Sequence, residues 1–272
     1  RKGWGSINAE EAEFIQSLIA AHRPLSFVEI GTASGLSGGL ICRFMDEAGG
    51  KRFVTIDHDN TFFGDPSQPN GFALPAIYGG DRVHVNQRTH QLSIDLALGE
   101  ESFDMAFVDA NHRHPWPLID TLCLYPRMTG SKLVVHHDLR LFRQKGWNTG
   151  IGPKYLFDQF PGQYRKASPA NKRNTFYVDL NLRKKAMRRV AVDGFLLPWT
   201  ARAPMAPEFR TRFESFLTDT YGPEVTTAFR DGYDLYVEEG APQGTKAGPI
   251  KAPKIKPLRV GKLTARVLKR LF

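Results

Sequence analysis

Cysteine is scarce: two in 272 residues, Cys42 and Cys123, far apart and each inside a helical pattern. They cannot build a disulfide framework or a chelating motif, and they suit a reducing compartment such as the cytoplasm. Long apolar runs are also missing, so no stretch of about 18 residues reads as a membrane-crossing helix. The opening Arg1-Lys2-Gly3-Trp4 has no apolar signal core. Acidic residues are absent from 246–272, which hold nine Lys/Arg, so the whole net charge of +9 sits there. Residues 1–180 hold 19 bases and 19 acids, and residues 181–245 hold nine of each. A neutral body argues against a nucleic-acid groove. In the basic tail Leu263, Val267 and Leu271 recur every four residues. That spacing allows an amphipathic helix resting on an anionic membrane or a partner domain, and equally a solvated terminus.

What is present is concentrated in Phe27-Val28-Glu29-Ile30-Gly31-Thr32-Ala33-Ser34-Gly35. A short apolar strand carries an acid near its end, and two glycines four apart lead into a helical pattern. Gly31 and Gly35 allow close backbone approach. A dinucleotide loop would read Gly-x-Gly-x-x-Gly and receive a pyrophosphate at the helix N-terminus. Glu29 is expected at the mouth of this turn, where a carboxylate repels phosphate and favours a cofactor bearing an ammonium and a sulfonium. That describes S-adenosylmethionine (SAM).

The helix over Gly35–Ala48 is expected to bury Leu36, Leu40, Phe44 and Met45, and Arg52–Asp57 is a second strand ending in an acid. Asp57 lies at the distance where a ribose-binding carboxylate follows such a loop, although an aspartate can also simply form a turn. Near-continuous apolar runs at 82–86, 104–109 and 132–138 suit strands buried on both faces of a parallel sheet. A helix over 116–125, an N-terminal helix over 9–22 with Phe14, Leu18 and Ile19 inward, and a final hairpin pairing 163–167 with 174–180 complete the pattern.

Over residues 9–180 the sequence resembles the class I SAM-dependent methyltransferases, in the branch of catechol-type and sugar O-methyltransferases. The resemblance is carried by Val28–Gly35, Thr55-Ile56-Asp57, Phe107-Val108-Asp109-Ala110-Asn111-His112 and Val134-Val135-His136-His137-Asp138. It implies an α/β fold with a Rossmann-like, doubly wound sheet of seven strands, mostly parallel with the last antiparallel. SAM would lie over the first four strands. Glu29, Gly31, Thr32, Ala33, Gly35, Asp57, His58, Thr89 and Asp109 become the expected cofactor positions. Thr89-His90 stands where the branch often has an acid beside the adenine, and Gly130-Ser131-Lys132 replaces a Pro-Gly-Gly turn. Three regions follow: a methyltransferase domain over 1–180, a helical appendage over 181–245 covering an edge of it, and the basic tail over 246–272.

The reaction centre is expected where the fourth and fifth strands end, bringing Asp109 and His112 beside His137 and Asp138. Methyl transfer to a hydroxyl needs in-line positioning and removal of a proton. Either Asp109 and Asp138 bind a divalent metal that acidifies the hydroxyl, or His112 or His137 is the base without metal. Catechol-type relatives place Asp-Asn where His137-Asp138 stands, and imidazole suits a transition metal better than Mg²⁺. His136 should face away from the site, and His22, His58, His84 and His114 read as surface or core residues. Phe62, Phe63, Phe72 and Tyr78 are expected to form an apolar lid, and Arg140, Arg143, Lys145 and Trp147 to meet a sugar or acidic group or to be solvated. The expected activity is O-methylation of a small molecule or glycan. A nicotinamide-dependent oxidoreductase, revealed by NADH fluorescence on mixing, and a non-catalytic module of a glycan-assembly protein are the alternatives.

Overall fold

The structure, a computed structural model, describes Trp4 and residues 7–169 and 174–238. The expected basic tail and the 170–173 turn of the final hairpin lie outside the described residues. The chain runs α1 (Ala9–His22), β1 (Ser26–Ile30), α2 (Leu36–Ala48), β2 (Arg52–Ile56), β3 (Thr61–Phe62), β4 (Asp65–Pro69), α3 (Leu74–Ile77), β5 (His84–Arg88) and α4 (Ser93–Leu98). It continues through β6 (Phe103–Val108), α5 (Trp116–Leu124), β7 (Met128–His136), α6 (Leu141–Lys145), α7 (Trp147–Gly150), α8 (Gly152–Gln159), β8 (Arg165–Ala167) and β9 (Phe176–Asp179). Three helices close it: α9 (Lys184–Phe195), α10 (Pro207–Tyr221) and α11 (Pro223–Tyr233).

Seven strands form one sheet in the order β5-β2-β1-β6-β7-β9-β8. All of β1, β2, β5, β6 and β7 pair in parallel, while β9 runs antiparallel to both β7 and β8. The order reverses at β1, whose neighbours are β2 and β6, so a crevice opens outside the carboxyl ends of these strands. Strand alternation divides the core in two. Val28, Ile30, Ala106 and Val134 face α5 and the C-terminal helices, whereas Phe27, Phe107 and Val135 face α1 and α2.

The final hairpin and α1 match the expected positions, and α1 starts with a capping box in which Asn8 and Glu11 bond each other's backbone N–H. Two details differ. The strand expected at 82–86 is β5 at His84–Arg88, and the one expected from Lys132 begins at Met128. Helix α2 buries Ser37, Gly38, Ile41, Cys42 and Met45, leaving Leu36, Leu40 and Phe44 half-buried. Small residues take the inner face because a Cβ on Gly38 would stand 2.9 Å from a Glu29 oxygen and 3.2 Å from Phe53. Apolar periodicity points to the bulky residues, but close helix–sheet approach selects the small ones.

The C-terminal helices do more than cover an edge. Phe195, Trp199, Phe213 and Phe229 belong to the same core cluster as Val28 and Val134. Tyr221 donates to the Leu122 carbonyl at 2.6 Å, and Arg212 pairs with Asp95 at 2.6 Å. Each buried aromatic side chain contributes about 1.5–3 kcal/mol, so the appendage is integral to the fold.

Candidate active site

The crevice has a volume of about 470 Å³, within the range of about 300–1,000 Å³ typical of ligand pockets. Of the expected cofactor positions, Gly31, Ala33, Asp57, His58 and Asp109 line it. Gly31 has φ +100°, and a Cβ there would lie 2.6 Å from the Asp109 carbonyl oxygen, so no other residue fits between β1 and β6. Asp57 Oδ2 accepts from the backbone N–H groups of Thr32 and Ala33 at 2.9 and 3.1 Å, which ties the turn to the end of β2. Thr32 is buried, and its hydroxyl bonds Thr55 at 2.6 Å. Gly35 packs against Gly71 and Leu74, not on the crevice, and starts α2 with φ +82°. Thr89 also stands outside the lining; Gln91, Leu92 and Ser93, two positions on, take that wall.

Glu29 corrects the central expectation. Its side chain is fully buried, points to the α2 side of the sheet and does not line the crevice. Glu29 pairs with Thr55 in the β1–β2 ladder, and its oxygens accept from Ser37 at 2.6 Å and Thr55 at 2.7 Å. Burial pushes its carboxyl up to about 8, against two hydroxyl bonds that pull the other way. The reason is the period of two: with Val28 and Ile30 on one face, Glu29 must lie on the other, under α2. It supports the turn from behind, through Thr55 and Thr32.

At the ends of β6 and β7, four side chains converge as expected. One donor atom from each of Asp109, His112, His137 and Asp138 lies within 4.8 Å of the others. His112 Nε2 stands 3.2 Å from Asp109 Oδ1 and 3.3 Å from Asp138 Oδ2, and His137 Nδ1 stands 3.1 Å from Asp109 Oδ1. Register aligns them: His137 N–H donates to the Val108 carbonyl and Asp109 N–H to that of Ile30. Burial alone would raise Asp109, yet the neighbouring imidazoles of His137 and His112 hold it well below the usual carboxylate range. Burial would likewise lower His137, but Asp109, Glu11 and Asp138 raise it well above its ordinary value.

Two members of this cluster are not legible in the sequence. Glu11, 5% exposed, approaches His137 Nε2 at 3.2 Å without hydrogen-bond alignment. Asn174 donates to Asp138 at 2.9 Å and to Glu11 at 3.1 Å. The one local signal at Glu11 is its capping box, which announces a helix start rather than a site. The remaining histidines behave as expected in the core and at the surface. His136 stacks on Phe176 and bonds Thr121, His114 bonds the Gly194 carbonyl, and burial drives both down to about 3. The expected aromatic lid is only partly one. Phe62 and Tyr78 are core residues, and Phe63, 76% exposed, is the member that reaches the crevice.

The appendage closes the far wall with Met205 and Phe209, and Phe209 packs on Trp116 at 5.4 Å. It also braces the loop that carries His112. The His114 carbonyl accepts from Thr200 and Ala201 at 2.9 and 2.8 Å, and the His112 carbonyl accepts from Gly152 at 3.0 Å.

A sheet of this order with a glycine turn at β1, an acid ending β2 and a polar cluster ending β6 and β7 has the architecture of the class I methyltransferases. Residues 28–139 match a family described as a methyltransferase domain. Among solved structures, the chain is similar to the O-methyltransferase TomG of Streptomyces achromogenes, involved in tomaymycin synthesis and solved with SAM. Identity is 18%, coverage 64% of this chain and 81% of that one, and TM-score 0.47. An O-methyltransferase from Bacillus cereus, in complex with SAH, matches at 16% identity over 64% and 82% of the two chains, with TM-score 0.44. The Podospora anserina methyltransferase PaMTH1, bound to SAH, matches at 14% over 64% and 79%, with TM-score 0.43. A comparison with curated proteins gives no match. No helix among the described residues is long and apolar enough to cross a membrane.

Proposed function

We propose that the protein is a cytoplasmic O-methyltransferase that transfers the methyl group of SAM to a hydroxyl of a small molecule or glycan. The observation that carries this reading is that Asp109 belongs both to the crevice wall and to the polar cluster. Cofactor and acceptor proton are thereby handled at one point. The electrostatic argument first attached to Glu29 passes to Asp109, whose ionised carboxylate in the crevice favours a cationic ligand and disfavours a pyrophosphate.

When bound, SAM supplies an electrophilic methyl group and departs as S-adenosylhomocysteine (SAH). Asp57 accepts the ribose hydroxyls while holding the turn, and Gly31 lets the cofactor approach the backbone. The acceptor oxygen attacks along the axis of the breaking S–CH₃ bond and gives up its proton. His137, kept cationic by the carboxylates around it, has no lone pair to offer. His112, 21% exposed at its side chain and bonded to Asp109, takes the proton.

The cluster also fits a divalent ion. Two imidazoles and two carboxylates within 4.8 Å suit a first-row transition metal better than Mg²⁺. With the ion bound, His137 would give up the proton that the carboxylates otherwise hold on it; Asp109, His137 and Asp138 would then hold the metal, which would lower the pKa of the acceptor hydroxyl. Titration calorimetry with SAH tests the cofactor, and methyl transfer from labelled SAM to a panel of phenols, polyols and sugars tests the chemistry. Absence of SAH binding at millimolar concentration overturns the assignment.

A further inference from the structure

Glu11 is buried more deeply than its helix cap requires. Its Oε2 accepts from the Asn8 N–H at 2.8 Å to complete the capping box, a role that a solvent-facing glutamate fills equally well. The side chain is nevertheless almost fully buried, and its one cationic neighbour among the described residues is the His137 imidazole. An acid at that depth is costly unless its partners offset the loss of water.

Those partners lead to two of the three side chains that would hold a metal. His137 turns Nδ1 to Asp109 Oδ1 at 3.1 Å and Nε2 to Glu11 Oε2 at 3.2 Å. A neutral imidazole that ligates through Nδ1 carries its proton on Nε2, the nitrogen that faces Glu11. The second link runs through Asn174, whose amide donates to Glu11 Oε1 at 3.1 Å and to Asp138 Oδ1 at 2.9 Å. Asn174 also clamps the backbone after β7. Its carbonyl accepts from the Leu139 N–H at 2.7 Å, and its Oδ1 from the Arg140 N–H at 3.1 Å. These bonds hold the turn in which Asp138 has φ +62°, an uncommon conformation for a residue with a Cβ. Helix α1 is itself fixed: Ile15 and Ile19 share a core cluster with Val135, and Phe14 stacks on Tyr177 at 6.4 Å.

We propose that Glu11 is a positioning residue for a metal centre. From α1 it orients His137 so that Nδ1 faces Asp109 and Asp138, and through Asn174 it fixes the Asp138 carboxylate. Outer partners of this kind set ring orientation and raise the basicity of a ligating imidazole. The inference rests on the metal-binding reading of the cluster.

Calorimetric titration of the full chain with Zn²⁺ alone is the test, with circular dichroism to confirm that each variant is folded. Loss of such a partner costs about 10–100-fold in metal affinity, so Glu11→Gln, which keeps the shape, should bind Zn²⁺ at least about tenfold more weakly. Asn174→Ala, which cuts the link to Asp138 and leaves Glu11 in place, should also lose about tenfold and serves if Glu11→Gln does not fold. Asn8→Ala breaks the other half of the capping box and keeps the Glu11 carboxylate; its affinity should stay within about twofold of wild type. Unchanged Zn²⁺ affinity in Glu11→Gln or in Asn174→Ala overturns the proposal. An equal loss in Asn8→Ala also overturns it, because the effect would then belong to the helix start. If wild-type protein binds SAH but no Zn²⁺, the metal reading falls and this inference with it, while the methyltransferase reading stands.

Discussion

Replacing Glu29 by Gln should make the free protein more stable at alkaline pH while leaving it nearly unchanged in acid. The Glu29 carboxyl is fully buried, contacts Ser37 and Thr55, and has no basic partner among the described residues. Cys42 lies near it under α2, and Asp109 and Asp57 add repulsion across the turn. Burial raises its pKa from 4.5 to about 8. Below pH 4.5 both folded and unfolded chains hold the proton, and the folded state has its full stability from this group. Between 4.5 and 8 the unfolded chain releases the proton and the folded chain keeps it, so stability falls by about 1.4 kcal/mol per pH unit. Above the folded value the loss is complete, at about 4–5 kcal/mol as an upper bound. Gln has the shape of the protonated acid and does not titrate. Urea unfolding at pH 5, 6.5 and 8.5 should show the gap between variant and wild type widening in favour of Gln at each step. Other titrating groups cancel in that difference. Parallel pH profiles for the two proteins would refute the placement of this carboxyl in a dry, unpaired site.

Further outcomes concern the turn and the cluster. His112→Gln should lower kcat by about 10²–10⁴ with SAH affinity unchanged, measured by single-turnover methyl transfer and calorimetry. Treatment with EDTA should lower activity at least about tenfold, with recovery on adding Mn²⁺ or Zn²⁺; full activity in chelator would leave His112 acting alone. Gly31→Ala forces a Cβ to 2.6 Å from the Asp109 carbonyl and should abolish SAH binding or folding, seen by calorimetry and thermal melting. Phe209→Ala removes a crevice wall packed on Trp116 and should destabilise the fold by about 3–5 kcal/mol in urea titration.

The sequence by itself determined the scaffold. Apolar runs separated by a helical period gave β1, α2 and β2, and the strand ends placed Gly31, Asp57, Asp109 and His137 on one side of the sheet. Those signals are local, because they depend on backbone preference and on a period of two or 3.6. Which way Glu29 points was also open to the period argument, since its neighbours Val28 and Ile30 are both apolar. What only the tertiary structure decided involves contacts across long separations. Glu11 and Asn174 reach the cluster from segments 163 residues apart. Met205, Phe209 and Asp120 meet in one cavity because the C-terminal helices fold back over α5. No pattern within a window of a dozen residues carries such information, because the cost and gain of those contacts appear only when the core is packed.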